Sequence, residues 1–171
     1  LRFISYRIDV LHAAMWGIDG PHHSGATIPF HLHNVLLHGI AALLLFCLIQ
    51  AIFPKGGWKL SVMLAAVFLV HPVQTEAVAW ISGRRDVLFG VFYLSVLLVA
   101  VGGGERPGWF RGCVVALLGA LAMAAKEMAA TLPVALIAVS YMSSEPPKNW
   151  LQWRRFIPVW APCAVVVLFL S

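Results

Sequence analysis

The sequence predicts an all-α polytopic membrane protein, a bundle of about six transmembrane helices preceded by an interfacial amphipathic helix. Three observations carry this. Of 171 residues, 61% are hydrophobic and only 11% are charged, with mean hydropathy +0.86, whereas soluble domains hold about 25% charged and 45–50% apolar residues. A soluble fold of this composition would lack the polar surface to cover itself, so the excess apolar area must face lipid. The apolar runs follow one another with only short Gly-, Pro- or basic-rich breaks. The net charge of +5 is also concentrated in those breaks, which suits membrane orientation rather than nucleic acid, for which no motif or basic stripe is present.

Taken in order, Phe3, Ile4, Ile8, Leu11 and Met15 recur at helical spacing with Arg7, Asp9 and His12 between them, the pattern of the amphipathic helix. Gly17, Gly20, Pro21, Gly25 and Pro29 break it into a loop. The first span is expected over about 32–53, ending at Pro54, with a basic turn from Lys55 to Lys59. The second, about 60–70, meets His71-Pro72, where a helix kinks or ends. Residues 73–86 form a polar interlude with room for a short helix. The third span covers about 87–101, stopped by Gly102 to Gly104. The fourth, about 112–125, meets Lys126-Glu127. The fifth covers about 128–142, and the sixth starts near Phe156 after Pro146-Pro147 and a basic loop. The whole chain, 1–171, reads as one transmembrane domain and as part of a longer chain, since it opens on Leu1 with no signal-peptide pattern. Cys47, Cys113 and Cys163 each lie within an apolar run without metal-ligand spacing, and do not report the redox compartment.

If the spans alternate, the breaks near 54–59, 102–111 and 143–155 share one face, with seven basic and two acidic residues. The other face holds five of each. The positive-inside rule makes the basic face cytoplasmic. All seven histidines fall on the opposite, non-cytoplasmic face or in the adjoining half of a span. A balanced polar set beside short or broken helices suggests a cavity there.

Three clusters lie on that side. In the first, His31, His33, Asn34 and His38, neutral groups at the start of a span can bind a polar ligand, cap the helix or bond a neighbour. A zinc site fits poorly, because His31 and His33 diverge on a helix and no carboxylate or cysteine completes a set. The second runs from His71-Pro72 through Gln74 and Glu76 to Trp80 and Gly83-Arg84-Arg85-Asp86. On one helix, Glu76, Trp80 and Gly83 would share a face. An arginine here suits a phosphate through its two-pronged fork, and a nearby carboxylate can orient it or act on a substrate. The alternative is an ion pair of Arg84 or Arg85 with Glu76 or Asp86 that pins two helices. The third is Lys126-Glu127, either a charged element facing a cavity or a simple surface turn. The seven tryptophans mostly lie near span ends, as an interfacial belt.

Ser5-Tyr6-Arg7, the Phe30–His38 stretch, the block from His71-Pro72 to Gly83-Arg84-Arg85-Asp86-Val87-Leu88, then Lys126-Glu127 and Pro133 resemble, in that order, the membrane region of the transmembrane and tetratricopeptide-repeat O-mannosyltransferases and their bacterial relatives. The match runs from about residue 3 to 142. The resemblance implies a GT-C-like fold and transfer of a sugar, such as mannose, from a polyprenyl-phosphate donor to a protein hydroxyl on the non-cytoplasmic side. It implies Arg84, Lys126 and Arg7 toward the donor phosphate and, among the acidic residues Glu76, Asp86 and Glu127, a catalytic base toward the acceptor hydroxyl, with His33, Asn34 and His71 as polar groups of the cavity. The family's acidic pair of the first outer loop is expected upstream of Leu1, with the first span, and its repeats downstream. The cofactor is left open; a divalent cation is one option, with no ligand set visible. Ile8 stands where the family usually has proline, and Pro21–Pro29 is longer than the family pattern, so acceptor contacts do not transfer. Expected partners are membrane lipid, the donor, the acceptor protein and partner subunits, not nucleic acid. Two alternatives stand beside this: a non-catalytic membrane subunit, favoured by a true start near Leu1, and a small transporter with Glu76, Arg84 and Lys126 lining a path. Inverted repeats would favour the transporter, and none is visible.

Overall fold

A backbone that cannot hydrogen-bond to water satisfies its N–H and C=O groups internally, and the apolar runs of this chain do so as helices. The structure, a computed structural model, describes residues 14, 27–80, 83–102 and 109–142, and their regular structure is helical throughout. The predicted amphipathic helix and sixth span lie outside these residues, as does Arg7.

Helix α1, Thr27–Ile52, starts earlier than expected. Pro29 falls in its first turn, where the missing N–H costs nothing, so His33 and Asn34 lie inside the helix and do not cap it. Phe53 leads into a 3-10 turn at Pro54–Gly56. Gly57 then takes φ +73, the left-handed region open to glycine, and begins α2, Gly57–Val70, so Trp58 and Lys59 are helical and not part of the turn. His71 is extended (φ −64°, ψ 129°), as expected of a residue before proline. A 3-10 turn at Pro72–Gln74 and the short α3, Thr75–Ala79, follow, and the chain bends by 49° at this break. Helix α4, Arg84–Val101, begins three residues earlier than predicted and takes Arg84, Arg85 and Asp86 into its first turn. Helix α5 is Trp109–Ala125. Lys126 is extended, and the predicted fifth span divides into a 3-10 segment, Glu127–Thr131, and α6, Leu132–Met142.

Helix α4 packs against α1, α5 and α6, while α2 lies along α1. The core joins Leu48 and Ile52 of α1, Val96, Leu97 and Ala100 of α4, Val115, Ala122 and Met123 of α5, and Leu132 and Leu136 of α6. Helix α5 buries Gly112, Gly119 and Ala122 on one face, and small residues of this kind let two backbones approach closely.

The first half of α1 reverses the usual inside-outside pattern. Helix α1 buries Asn34, His38, Ala41 and Ala42 and exposes Leu32, Val35, Leu36, Ile40 and Leu43. Large apolar side chains facing outward in such a stripe mark a surface made for something other than water. Among the described residues, His31–Ile52, 22 residues of mean hydropathy 2.5, is long and apolar enough to cross a membrane by itself. The pair Pro54–Val70 and Pro72–Ala79 reaches that length and hydropathy only when its two helices are taken together across their 49° bend, and the apolar helices Phe110–Ala125 and Glu127–Met142 are shorter.

Candidate functional site

Helix direction gathers the sequence clusters. His38, early in α1, meets the carbonyl of Leu69, at the end of α2, and Asp86, early in α4, meets Lys126, just past α5. Both pairs of helices are therefore antiparallel. His31–His38, His71–Glu76, Arg84–Asp86 and Lys126–Glu127 come to one end of the bundle, and Lys55, Lys59 and Arg111 fall at the other.

At the charged end, Arg85, Asp86, Lys126 and Glu127 line a pocket of about 350 Å³, with Met123 as its apolar wall. The Lys126 ammonium donates to the Asp86 carboxylate, and both side chains remain partly exposed, 37% and 44%. The break at Lys126 makes this possible: its extended backbone (φ −153°, ψ 136°) turns the chain out of α5 before the 3-10 segment begins. Glu127 is exposed at the same mouth. A lysine and an arginine beside two carboxylates can hold an anionic group and accept a proton within one small space.

At the same end of the bundle, α1, the end of α2 and α3 line a groove of about 550 Å³ with an apolar wall that includes Val35, Leu69, Val70 and Val78. His31, His38 and His71 stand on it. Nε2 of His38 lies 3.2 Å from the Leu69 carbonyl, and its ring lies 5.0 Å from that of Phe68. His71 is exposed; its Nδ1 accepts from the Val73 N–H at 3.2 Å and caps the 3-10 turn. The Thr75 hydroxyl donates to the Pro72 carbonyl at 2.6 Å.

The sequence candidates are distributed as follows. Asp86, Lys126 and Glu127 come together. Arg84 is buried, 1% exposed, while its neighbour Arg85 lines the pocket. The early start of α4 explains this: Arg84 and Val87, one turn apart, face inward together, which turns the next residue outward. With the helix starting at 87, that register was invisible. Glu76 is exposed on α3 and is not among the residues lining the charged pocket. The shared face of Glu76, Trp80 and Gly83 does not form, because Trp80 is extended (φ −91°, ψ 137°) and ends α3. Asp86, one of the carboxylates expected to meet an arginine, pairs with Lys126 at this end. His33 is half-buried and Asn34 fully buried. Tyr93 and Thr131, whose hydroxyls lie 3.1 Å apart, are polar partners that sequence did not single out. Among the described residues, no three His, Cys, Asp or Glu side chains are placed to hold a metal ion.

No protein-family model matches the chain, and no solved structure matches it. It is similar to several curated proteins. A protein O-mannosyl-transferase of Caenorhabditis elegans is 32% identical over 118 residues, 67% of this chain and 16% of the relative. Protein O-mannosyl-transferase TMTC2 of Mus musculus is 33% identical over 149 residues, 83% of this chain and 17% of the relative. Over a shorter stretch, 69 residues covering 40% of this chain and 8% of the relative, tmtc2 of Xenopus laevis is 46% identical. The chain thus spans about a sixth of the length of the first two.

Proposed function

We propose that this chain, a sequence relative of the transmembrane and tetratricopeptide-repeat protein O-mannosyltransferases, is part of a GT-C-type membrane glycosyltransferase. It moves a sugar, with mannose first in line, from a polyprenyl-phosphate donor to a protein hydroxyl on the non-cytoplasmic face. The observation that supports this reading most is the convergence of Arg85, Asp86, Lys126 and Glu127 on one pocket at one end of an otherwise apolar bundle.

The reaction breaks the bond between the anomeric carbon and the phosphate oxygen and forms one between that carbon and the acceptor oxygen. Negative charge grows on the departing lipid phosphate, and Lys126 and Arg85 are the cations at the pocket to stabilise it. Arg84 and Arg7 join them on the strength of the resemblance. The acceptor's proton goes to a carboxylate; Asp86 and Glu127 stand at the pocket and Glu76 nearby in sequence, and the family's upstream acidic pair is the other source of that base. Asp86 has a second role, since its carboxylate holds the Lys126 ammonium. The chain is multi-pass, with six spans, its charged end non-cytoplasmic and Lys55, Lys59 and Arg111 cytoplasmic.

The test uses the full-length protein in proteoliposomes with polyprenyl-phosphate mannose and an acceptor protein. Transfer that falls about a hundredfold or more in Lys126→Met supports the reading. Transfer that is unchanged in that variant removes the pocket from it, and a parent protein inert with every polyprenyl-phosphate sugar leaves the non-catalytic subunit.

A further inference from the structure

The charged pocket hangs on a corner of the chain whose geometry is set from another helix. Helix α3 ends at Ala79, Trp80 is extended, and α4 begins at Arg84. The Trp80 carbonyl accepts the Gly83 N–H at 3.0 Å and, also at 3.0 Å, the side-chain amide of Asn34. The same amide nitrogen lies 3.4 Å from the Val78 carbonyl. Asn34 is 0% exposed, so this bridge between α1 and the corner is shielded from water. Gly83 lies tight against α3: a Cβ on it would lie 2.2 Å from the Ala77 carbonyl oxygen. Three residues beyond Gly83, Asp86 reaches Lys126 across the pocket.

We propose that Asn34 is a positioning residue for the charged pocket: by holding the Val78 and Trp80 carbonyls it fixes the α3–α4 corner from which Arg85 and Asp86 are presented. Stability alone does not account for an amide here. The Asn34 Oδ1 is buried with no hydrogen-bond partner among the described residues, and a buried acceptor without a partner is destabilising, whereas a leucine of similar volume brings no such acceptor, at the loss of the donor to the Val78 and Trp80 carbonyls. What the amide supplies and leucine cannot is two donors aimed at two carbonyls. Aspartate, its nearest isostere, has no donors when ionised.

The proposal rests on reading the pocket as the transfer site, so its test has an arm independent of activity. In the full-length protein, Asn34→Leu is expected to lower kcat about tenfold to a hundredfold, the scale of a small misplacement of reacting groups, with the donor KM within about twofold. That pattern is the loss of an interaction expressed in the transition state. Asn34→Gln, which keeps the donors, recovers part of the rate, and Asn34→Asp does not. Independently, spin labels at Ala79→Cys and Met128→Cys, both exposed positions, in a chain without native cysteines, report the corner end of α3 relative to the α5–α6 break. The distance distribution broadens or splits in Asn34→Leu. If Asn34→Leu does not fold, the same two readouts are taken on Asn34→Asp. A folded variant with parental kcat, or an unchanged narrow distance distribution, overturns the proposal. Should the parent show no transfer, the proposed activity fails and the distance distribution alone decides the role of Asn34.

Discussion

Replacing Gly83 with alanine tests the corner that presents the charged pocket. The residue has an ordinary helical backbone (φ −68°, ψ −12°), so strain in its own torsions is not the issue; space is. An added Cβ would lie 2.2 Å from the Ala77 carbonyl oxygen, 2.7 Å from its carbon and 2.9 Å from its Cα. These are backbone atoms of the preceding helix, so no side chain can swing aside. Restoring an ordinary contact requires about 1 Å of movement between α3 and α4, in keeping with overpacking costs of about 1–3 kcal/mol. That movement also strains the Gly83–Trp80 and Asn34–Trp80 hydrogen bonds, each worth about 1 kcal/mol net. The expected total is about 2–4 kcal/mol, on the order of 5–15 °C in unfolding temperature. Gly90 provides the control. It lies mid-helix in α4 with nothing within 4 Å of an added Cβ, and Gly90→Ala is expected to be neutral or to stabilise by up to about 1 kcal/mol through helix propensity. The assay is thermal unfolding of both variants in the same detergent, followed by size-exclusion chromatography. Equal melting temperatures for Gly83→Ala and the parent would refute the tight corner and the geometry built on it.

Three further outcomes follow from the same structure. The Lys126–Asp86 pair is 37% and 44% exposed, so solvent screens it and Lys126→Met should cost at most about 1 kcal/mol of stability, while transfer falls about a hundredfold or more; equal losses of fold and activity would make the pair structural. Arg85→Ala, at the pocket, should lower kcat with little change in melting temperature, whereas Arg84→Ala, buried, should lower the melting temperature by several degrees, read by unfolding and initial-rate kinetics side by side. Single cysteines at Lys55 and at Glu127, probed with a membrane-impermeant thiol reagent on sealed vesicles, should label from opposite sides; labelling from the same side would contradict the alternating arrangement.

What could be read from the sequence, and what could not, divides along sequence distance. The apolar runs located the helices α1, α2, α4 and α5, because local hydropathy alone commits a backbone to a helix in a dry setting. His71-Pro72 marked the break after α2, since a residue before proline is driven to extended backbone, and His71 takes that conformation. Helix starts were less legible. Thr27 and Arg84 each lie three to five residues before the expected start of their span, Thr27 ahead of Pro29 and the His31–Asn34 stretch, and Arg84 at the head of a charged first turn. The early start of α4 is what turns Arg84 inward and Arg85 toward the pocket. The charged groups of the pocket were visible one by one, yet their pairing was not. Asp86 and Lys126 are 40 residues apart and Asn34 and Trp80 are 46, so only packing of α4 against α5 and α1 brings them together. Trp80 illustrates the limit in the other direction: helical spacing placed it on one face with Glu76 and Gly83, but the long-range hydrogen bond from Asn34 meets it in an extended corner that local spacing cannot reveal.

The central claim, that the charged end of this bundle serves sugar transfer from a lipid phosphate, is tested most directly by one measurement. The full-length protein is reconstituted with polyprenyl-phosphate mannose, an acceptor protein is added on the side of Glu127, and O-linked mannose on the acceptor is read by intact mass. The account predicts one added hexose per modified hydroxyl in the parent and about a hundredfold less in Lys126→Met. The same hexose gain in parent and Lys126→Met would contradict it.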